Sequence, residues 1–161
     1  EIVPCDWSSD VCSSDLFYKI LIKLAQIGGE TMIEVYTDGA SKGNPGKSGA
    51  GILIKNGKTT ENYSILLGVM SNHEAEFLAV LEALKICKEK FPNEIISIRT
   101  DSKIVVEAVE KNFVKNKKFQ SYFKQIREES SIFPHFFIKW IPDKENSHAD
   151  RLARQAISPD N

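Results

Sequence analysis

Apolar and polar residues alternate along residues 33–38, and a period of two residues is the pattern of a half-buried β-strand. Four further short stretches rich in apolar residues predict strands, namely residues 50–55, 59–67, 95–100 and 135–141. Asn56-Gly57 joins the second strand to the third, and this dipeptide is typical of a tight hairpin. Residues 39–49 contain Asn44-Pro45-Gly46, so this region is predicted to form a turn.

Other stretches have the spacing of amphipathic helices. Residues 72–90 carry apolar side chains at 77, 78, 80, 81 and 84, opposite a polar face that includes Glu82, Lys85 and Glu89. Phe91-Pro92-Asn93 ends this helix, because Pro does not continue a helix. Further helices are predicted over residues 103–111, 119–129 and 146–157, with Asn146 as the N-cap of the last. The order of elements is therefore βββαβααβα.

Four carboxylates stand at distinctive places in this pattern. Asp38 ends the first strand, Glu76 lies early in the first helix, Asp101 follows the fourth strand, and Asp150 lies just inside the last helix. Carboxylates at strand ends lie at the sheet edge where ligands collect in α/β folds. Several acids there would repel one another unless a divalent cation neutralised them, and hard oxygen ligands suit Mg²⁺ or Mn²⁺. Taken singly, Asp101 and Asp150 could instead be helix caps or first-turn acids favoured by the helix dipole.

Four sequence blocks carry these acids in a recognisable order. They are Tyr-Thr-Asp-Gly-Ala-Ser-Lys-Gly-Asn-Pro-Gly at 36–46, Ser-Asn-His-Glu-Ala-Glu-Phe at 71–77, Thr-Asp-Ser at 100–102, and Trp-Ile-Pro-Asp-Lys-Glu-Asn-Ser-His-Ala-Asp-Arg-Leu-Ala at 140–153. In these blocks the chain resembles the ribonuclease H type 1 family, in its compact, reverse-transcriptase-like branch. The resemblance implies a ribonuclease H-like α/β fold with a mixed five-stranded sheet and helices on both faces.

The same resemblance implies an endoribonuclease that hydrolyses the RNA strand of RNA–DNA hybrids by two-metal-ion catalysis. It assigns to Asp38 the position between two Mg²⁺ ions, for which Mn²⁺ can substitute. Glu76 and Asp101 would complete the site of the ion that holds the leaving oxygen, and Asp150 would hold the ion that activates water. Two alternatives stay open: a broader nuclease that also cuts double-stranded RNA, and a non-catalytic nucleic-acid-binding paralogue. The four intact acids argue against the paralogue.

Substrate contacts are also implied by the resemblance. Ser41 and Asn44 would face the RNA strand, where short polar side chains and main chain read 2′-hydroxyls. Asn72 would lie at the groove of the hybrid, and Ser71 would support a DNA phosphate. The alternative for each of these four residues is ordinary turn or helix-cap duty.

The chain departs from many family members in two places. A longer loop with a His is absent before the last acid, so Glu145 becomes the candidate that assists release of metal or product. A long basic segment is replaced by the short cluster Lys115, Lys117 and Lys118, which is predicted to bind the phosphate backbone. The alternative for these lysines is a solvated surface.

The first 31 residues have a different character. Residues 6–16 resemble the translation of a sequencing-library adapter, so we interpret residues 1–31 as a non-native leader and residues 32–161 as the catalytic domain, beginning at Met32. The alternative is a genuine amphipathic helix over residues 16–27, with Lys19 and Lys23 on its polar side. That stretch is too short and too interrupted by lysine to span a bilayer.

The composition of the chain bears on where the protein works, but it does not indicate which reaction it catalyses. The net charge of the 161 residues is −1; without the 2 lysines and 5 acids of residues 1–31, it becomes +2. This weak charge does not by itself indicate nucleic acid. Of the three cysteines only Cys87 lies outside the leader, on a helix, where a small buried residue is expected. Nothing suggests disulfides, and a monomeric cytoplasmic protein without a membrane partner is predicted.

Overall fold

The computed structural model describes residues 19, 20, 23 and 31–158. Most of the predicted leader, including most of the alternative helix over residues 16–27, lies outside the described residues. Its interpretation as non-native stays a prediction. In the described residues no helix is both long enough and apolar enough to cross a bilayer.

A mixed sheet of five strands forms the centre of the fold. The strand order is β3-β2-β1-β4-β5, with β1–β2 and β2–β3 antiparallel and β1–β4 and β4–β5 parallel. This arrangement confirms the predicted α/β fold. The strands are β1 (Met32–Gly43), β2 (Gly46–Asn56), β3 (Thr59–Met70), β4 (Ile95–Thr100) and β5 (Phe136–Trp140). The helices are α1 (Asn72–Lys90), α2 (Lys103–Glu110), α3 (Lys117–Ser130) and α4 (Ser147–Ala156), with a 3₁₀ turn over Asp143–Glu145.

Alternate residues of β2 show how the two faces of the sheet are covered. Ile52 and Ile54 point into the main core, together with Phe77 of α1. Gly49 and Gly51 point to the opposite face and lie against α4. Since successive side chains of a strand point to opposite faces, helices cover both sides of the sheet. The main core contains residues from α1, α2 and α3.

The prediction of a turn over residues 39–49 is wrong. β1 continues to Gly43 and β2 begins at Gly46, so only Asn44 and Pro45 connect the strands. The glycines of these strands allow helices to pack closely against the sheet. A Cβ on Gly39 would lie 2.4 Å from the backbone nitrogen of Glu76 in α1, and one on Gly51 would lie 1.9 Å from a backbone oxygen of α4. A glycine-rich sequence is therefore compatible with strands here because two helices approach the sheet closely.

The remaining elements lie where the sequence predicts them. α1 and β4 have the predicted bounds, and α3 begins two residues earlier than predicted. Local capping explains two of the helix starts. Ser71 and Glu74 form a capping box at the start of α1. The side chain of Asn116 accepts a hydrogen bond from the backbone nitrogen of Lys118, which starts α3 before its first apolar residue.

Candidate active site

The four predicted acids line one cleft of about 590 Å³ at the edge of the sheet. The parallel pairing of β1 with β4 ends at Tyr36 and Arg99, so beyond this point β1 is paired with β2 only. Asp101 follows directly after β4. Asp38 and Asp101 therefore lie where β1 and β4 separate, and α1 and α4 bring Glu76 and Asp150 to the same place. The tertiary structure thus brings together four acids that are far apart in sequence.

Asp38 is the most buried of the four carboxylates. Its side chain is largely excluded from solvent, with 9% of the residue exposed, and its Oδ1 accepts a hydrogen bond from the backbone nitrogen of Gly39 at 2.8 Å. Burial raises the pKa of Asp38 to about 8, and the charges of Asp101, Asp150 and Glu76 add to this effect. The cleft is therefore electrostatically unfavourable for four ionised acids unless a cation joins them.

Glu76 is held by neighbours from two helices. Its Oε1 accepts a hydrogen bond from Nδ2 of Asn72 at 2.9 Å, and its Oε2 accepts one from Oγ of Ser102 at 2.5 Å. Nδ1 of His73 lies 3.1 Å from the same Oε2. These contacts aim the carboxylate into the cleft. Sequence reasoning missed the contact of Ser102, which directly follows Asp101.

Asp101 is positioned by two residues from distant parts of the chain. Nδ2 of Asn146 donates to its Oδ1 at 3.0 Å, and Nε1 of Trp140 donates to its backbone oxygen at 3.0 Å. Burial raises the pKa of Asp101, and the charges of Asp143 and Glu76 act in the same direction, while the Asn146 hydrogen bond opposes them. Asp101 thus contributes to the same repulsion as Asp38.

The prediction of Asn146 as the N-cap of the last helix is confirmed for its position but not for its side chain. Asn146 occupies the N-cap position of α4, but its side chain makes no capping hydrogen bond. Its Nδ2 instead donates to the backbone oxygen of Thr37, at 2.9 Å, as well as to Asp101. Its backbone oxygen accepts from the backbone nitrogen of Asp150 at 3.1 Å. Asn146 therefore connects β1, the end of β4 and the start of α4.

Asp150 is presented by a helix that packs closely against Gly49 and Gly51 of the sheet. α4 buries Ala149, Leu152, Ala153 and Ala156 against the strands, which leaves Asp150 at the side of the helix next to the cleft. Its Oδ1 accepts a hydrogen bond from Nε of Arg154 at 2.7 Å. The sequence contained the signal for this pair, since residues four apart face each other on a helix.

The donor set fits a hard divalent cation. The four predicted acids and Asp143 give the cleft five carboxylates, the ligand type that Mg²⁺ and Mn²⁺ prefer. Within the described residues, however, no three acidic, histidine or cysteine side chains are already arranged around a single ion position. Hydrogen bonds within the protein hold the carboxylates, as described above.

The predicted substrate contacts divide into two groups. Ser41 and Asn72 line the cleft, whereas Asn44 lies at the exposed connection between β1 and β2. The hydroxyl of Ser41 lies 2.6 Å from the backbone oxygen of Gly43 and 3.0 Å from that of Met70, so it also stabilises the end of this hairpin. Ser71 acts as the N-cap of α1. Their contacts with a substrate stay predictions.

The lysine cluster lies on the side of the molecule where α1 begins. Lys115, Lys117 and Lys118 are exposed and do not line the cleft. The hydrogen bonds from Ser71 lower the pKa of Glu74, and the charge of nearby Lys118 adds to this effect. The cluster is therefore adjacent to the first turn of α1, which also carries Asn72.

Glu145 is not brought to the four acids. It lines a second cleft of about 240 Å³, together with Tyr36, Lys55 and His148. Asp143, two residues earlier in the same 3₁₀ turn, lines the carboxylate cleft instead. Sequence reasoning could not distinguish these two acids, because a three-residue turn has no periodic pattern that reveals which side faces inward.

Comparisons with known proteins agree with this geometry. The family model for RNase H matches residues 30–158. The putative hydrolase EbsB of Enterococcus faecalis is 42% identical over 127 residues, covering 78% of this chain and 94% of that protein. The ribonuclease H of Trichodesmium erythraeum is 34% identical over 143 residues, covering 78% of this chain and 88% of that protein. The crystal structure of LC11-RNase H1 in complex with an RNA/DNA hybrid matches with a TM-score of 0.72 and 28% identity, over 78% of this chain and 96% of that one.

Proposed function

The chain belongs to the RNase H family, and we propose that it is an endoribonuclease that hydrolyses the RNA strand of RNA–DNA hybrids. The observation that carries this proposal is the convergence of Asp38, Glu76, Asp101 and Asp150 in one cleft. They come from β1, α1, the end of β4 and α4. The similarity to LC11-RNase H1, which was crystallised with an RNA/DNA hybrid, supports the choice of substrate.

We infer that the four carboxylates hold two Mg²⁺ ions, for which Mn²⁺ can substitute. When bound, such ions supply an activated water, neutralise phosphate charge and stabilise the departing oxygen. The raised pKa of Asp38, caused by burial and then by the neighbouring acids, supports this assignment, because a cation would relieve the repulsion. Asp38 is the central ligand in this assignment, since the charges of all three other acids reach it.

The residues around the acids orient them for this role. Ser102 and Asn146 donate hydrogen bonds to Glu76 and Asp101, and these contacts hold the two carboxylates in the cleft. Ser41 and Asn72 line the cleft beside the acids, where they can contact the RNA strand. Lys115, Lys117 and Lys118 are placed to contact backbone phosphates farther along the duplex.

A cleavage assay with end-labelled substrates tests the proposal. RNA–DNA hybrid, duplex RNA and duplex DNA are incubated with the protein and either Mg²⁺ or Mn²⁺. We expect the RNA of the hybrid to be cut to products with 5′-phosphate and 3′-hydroxyl ends. Cleavage of duplex RNA as well would broaden the substrate range, and binding of the hybrid without any cleavage would favour a non-catalytic paralogue. A monomeric cytoplasmic enzyme stays a prediction.

A further inference from the structure

Two cationic side chains line the carboxylate cleft in the part of the chain that the structure describes, Lys42 and Arg154. Arg154 makes a direct ion pair inside the cleft. Its Nε donates to Oδ1 of Asp150 at 2.7 Å. The pKa of Arg154 is raised by this hydrogen bond and by the charge of Asp150, and more weakly by the charge of Asp38. The guanidinium thus neutralises part of the negative charge of the acids.

The geometry of α4 determines that Arg154, and not Arg151, pairs with Asp150. Asp150 and Arg154 are four residues apart and share one side of α4, whereas Arg151 lies farther around the helix. The Nη2 atom of Arg151 lies 3.4 Å from Nε2 of His148, outside the lining of the carboxylate cleft. Close packing of α4 on Gly49 and Gly51 keeps this orientation fixed. The pair of Asp150 with Arg154 is therefore specific, although two arginines are near Asp150 in sequence.

A cation and the guanidinium compete for Asp150. Two positive groups on the same carboxylate repel each other, so an ion that takes Asp150 weakens the pair with Arg154. The side chain of Arg154 is 72% exposed and that of Asp150 is 38% exposed. Exposed ion pairs contribute little net stability, and this one can open at small cost. Once released, a planar guanidinium at the rim of the cleft is suited to a bidentate contact with a phosphate.

We propose that Arg154 is an exchangeable counter-ion, which neutralises Asp150 in the ion-free cleft and moves to a backbone phosphate of the substrate when a divalent cation takes Asp150. This inference rests on the proposed function, since it requires both a cation at Asp150 and a nucleic-acid substrate. Arg154 is a positioning residue for Asp150 in the first state and a substrate contact in the second.

The proposed competition of Mg²⁺ with Arg154 for Asp150 is tested by calorimetric titration of Mg²⁺ into the protein without substrate. Three proteins are compared: the unmodified chain, Arg154→Gln, and Arg151→Gln as the control with the same loss of charge. We expect Arg154→Gln to bind Mg²⁺ about two- to fivefold more tightly, as expected from removing one exposed competing ion pair. Arg151→Gln should bind as the unmodified chain does.

The proposed contact of Arg154 with a backbone phosphate is tested on the hybrid substrate. Arg154→Gln should raise the Michaelis constant, and the slope of log affinity against log salt should decrease by about one. Arg154→Lys keeps the charge, so it should restore the salt slope.

The outcomes separate the two proposals. If the unmodified chain binds no Mg²⁺, the proposed metal site is wrong and this inference falls with it. If the unmodified chain binds Mg²⁺ but Arg154→Gln and Arg151→Gln bind it equally, the counter-ion role is wrong while the proposed function stands. Tighter Mg²⁺ binding by Arg154→Gln with an unchanged salt slope would overturn the exchange to phosphate.

Discussion

Nδ2 of Asn146 donates a hydrogen bond to Oδ1 of Asp101 at 3.0 Å, across 45 positions of sequence. The same amide group donates to the backbone oxygen of Thr37, next to Asp38. Because the backbone oxygen of Asn146 also accepts a hydrogen bond from the backbone nitrogen of Asp150, one buried residue relates three of the four acids to one another. The relative positions of these carboxylates therefore depend on a residue that is not itself an acid.

Replacing Asn146 by Ala should disorganise the acids. The backbone oxygen of Thr37 and the carboxylate of Asp101 would each lose a donor, at a cost in stability of about 1–3 kcal/mol. Activity or Mg²⁺ affinity should fall about 10- to 100-fold, as found when groups that orient metal ligands are removed. Asn116→Ala is the control for Mg²⁺ affinity, because it removes a helix-cap hydrogen bond at the start of α3 and Asn116 does not line the cleft. Equal Mg²⁺ affinity in both variants would contradict the role of Asn146.

Asp38→Asn should abolish cleavage while leaving the fold intact. An amide does not provide the negative charge that two cations would share. Without metal, the variant should also melt at a higher temperature than the unmodified chain at neutral pH, because one member of a buried, mutually repelling group of acids is lost. Thermal melts in a chelator and hybrid cleavage assays measure the two effects. Cleavage near the rate of the unmodified chain would show that the metal assignment is wrong.

Asp143→Asn and Glu145→Gln form a matched pair two residues apart. Asp143 lines the carboxylate cleft and its charge raises the pKa of Asp101, so Asp143→Asn should change the Mg²⁺ concentration that gives half-maximal activity. Glu145 lines the other cleft, and Glu145→Gln should leave this concentration unchanged. If Glu145→Gln instead slows multiple turnovers without affecting the first, Glu145 assists product release, as the sequence predicted.

Replacing Lys115, Lys117 and Lys118 by Ala should raise the Michaelis constant for the hybrid and leave the maximal rate nearly unchanged. These lysines are exposed and lie outside the cleft that holds the acids. The slope of log affinity against log salt should also decrease, since phosphate contacts release counterions. Replacing Lys85, Lys88 and Lys124 by Ala removes the same charge elsewhere and is the control. An unchanged slope for the first variant would show that its lysines are a solvated surface.

Deleting residues 1–30 should leave activity and melting temperature unchanged, as expected for a non-native leader. Deleting Thr31 as well should cost a little stability. The backbone nitrogen and the hydroxyl of Thr31 donate to Oε2 of Glu94, at 2.7 and 2.6 Å, and its backbone oxygen accepts from Ile95 at 3.2 Å. Melting curves of the two truncated proteins measure this difference. A large drop for the shorter deletion would show that residues 1–30 pack on the domain.

The amino-acid sequence alone determined the bounds of several helices and strands and the identity of the four acids. The bounds of α1 and β4 could be predicted, because apolar spacing, a capping serine and Phe91-Pro92 act over only a few residues. The four acids could be identified as a group because they stand in four sequence blocks that resemble the ribonuclease H type 1 family, in that family's order. These signals do not depend on how distant parts of the chain pack.

Only the tertiary structure decided how the acids are held. Gly39 and Gly49 looked like turn residues, yet they lie in strands at places where helices approach too closely for a side chain. Asn146 looked like a helix cap, yet its amide bonds to β1 and to Asp101. Asp143 rather than Glu145 faces the four acids. Each of these contacts joins residues that are distant in sequence or depends on which side of a short turn faces inward. Such contacts follow from the packing of helices on the sheet, which a local pattern does not specify.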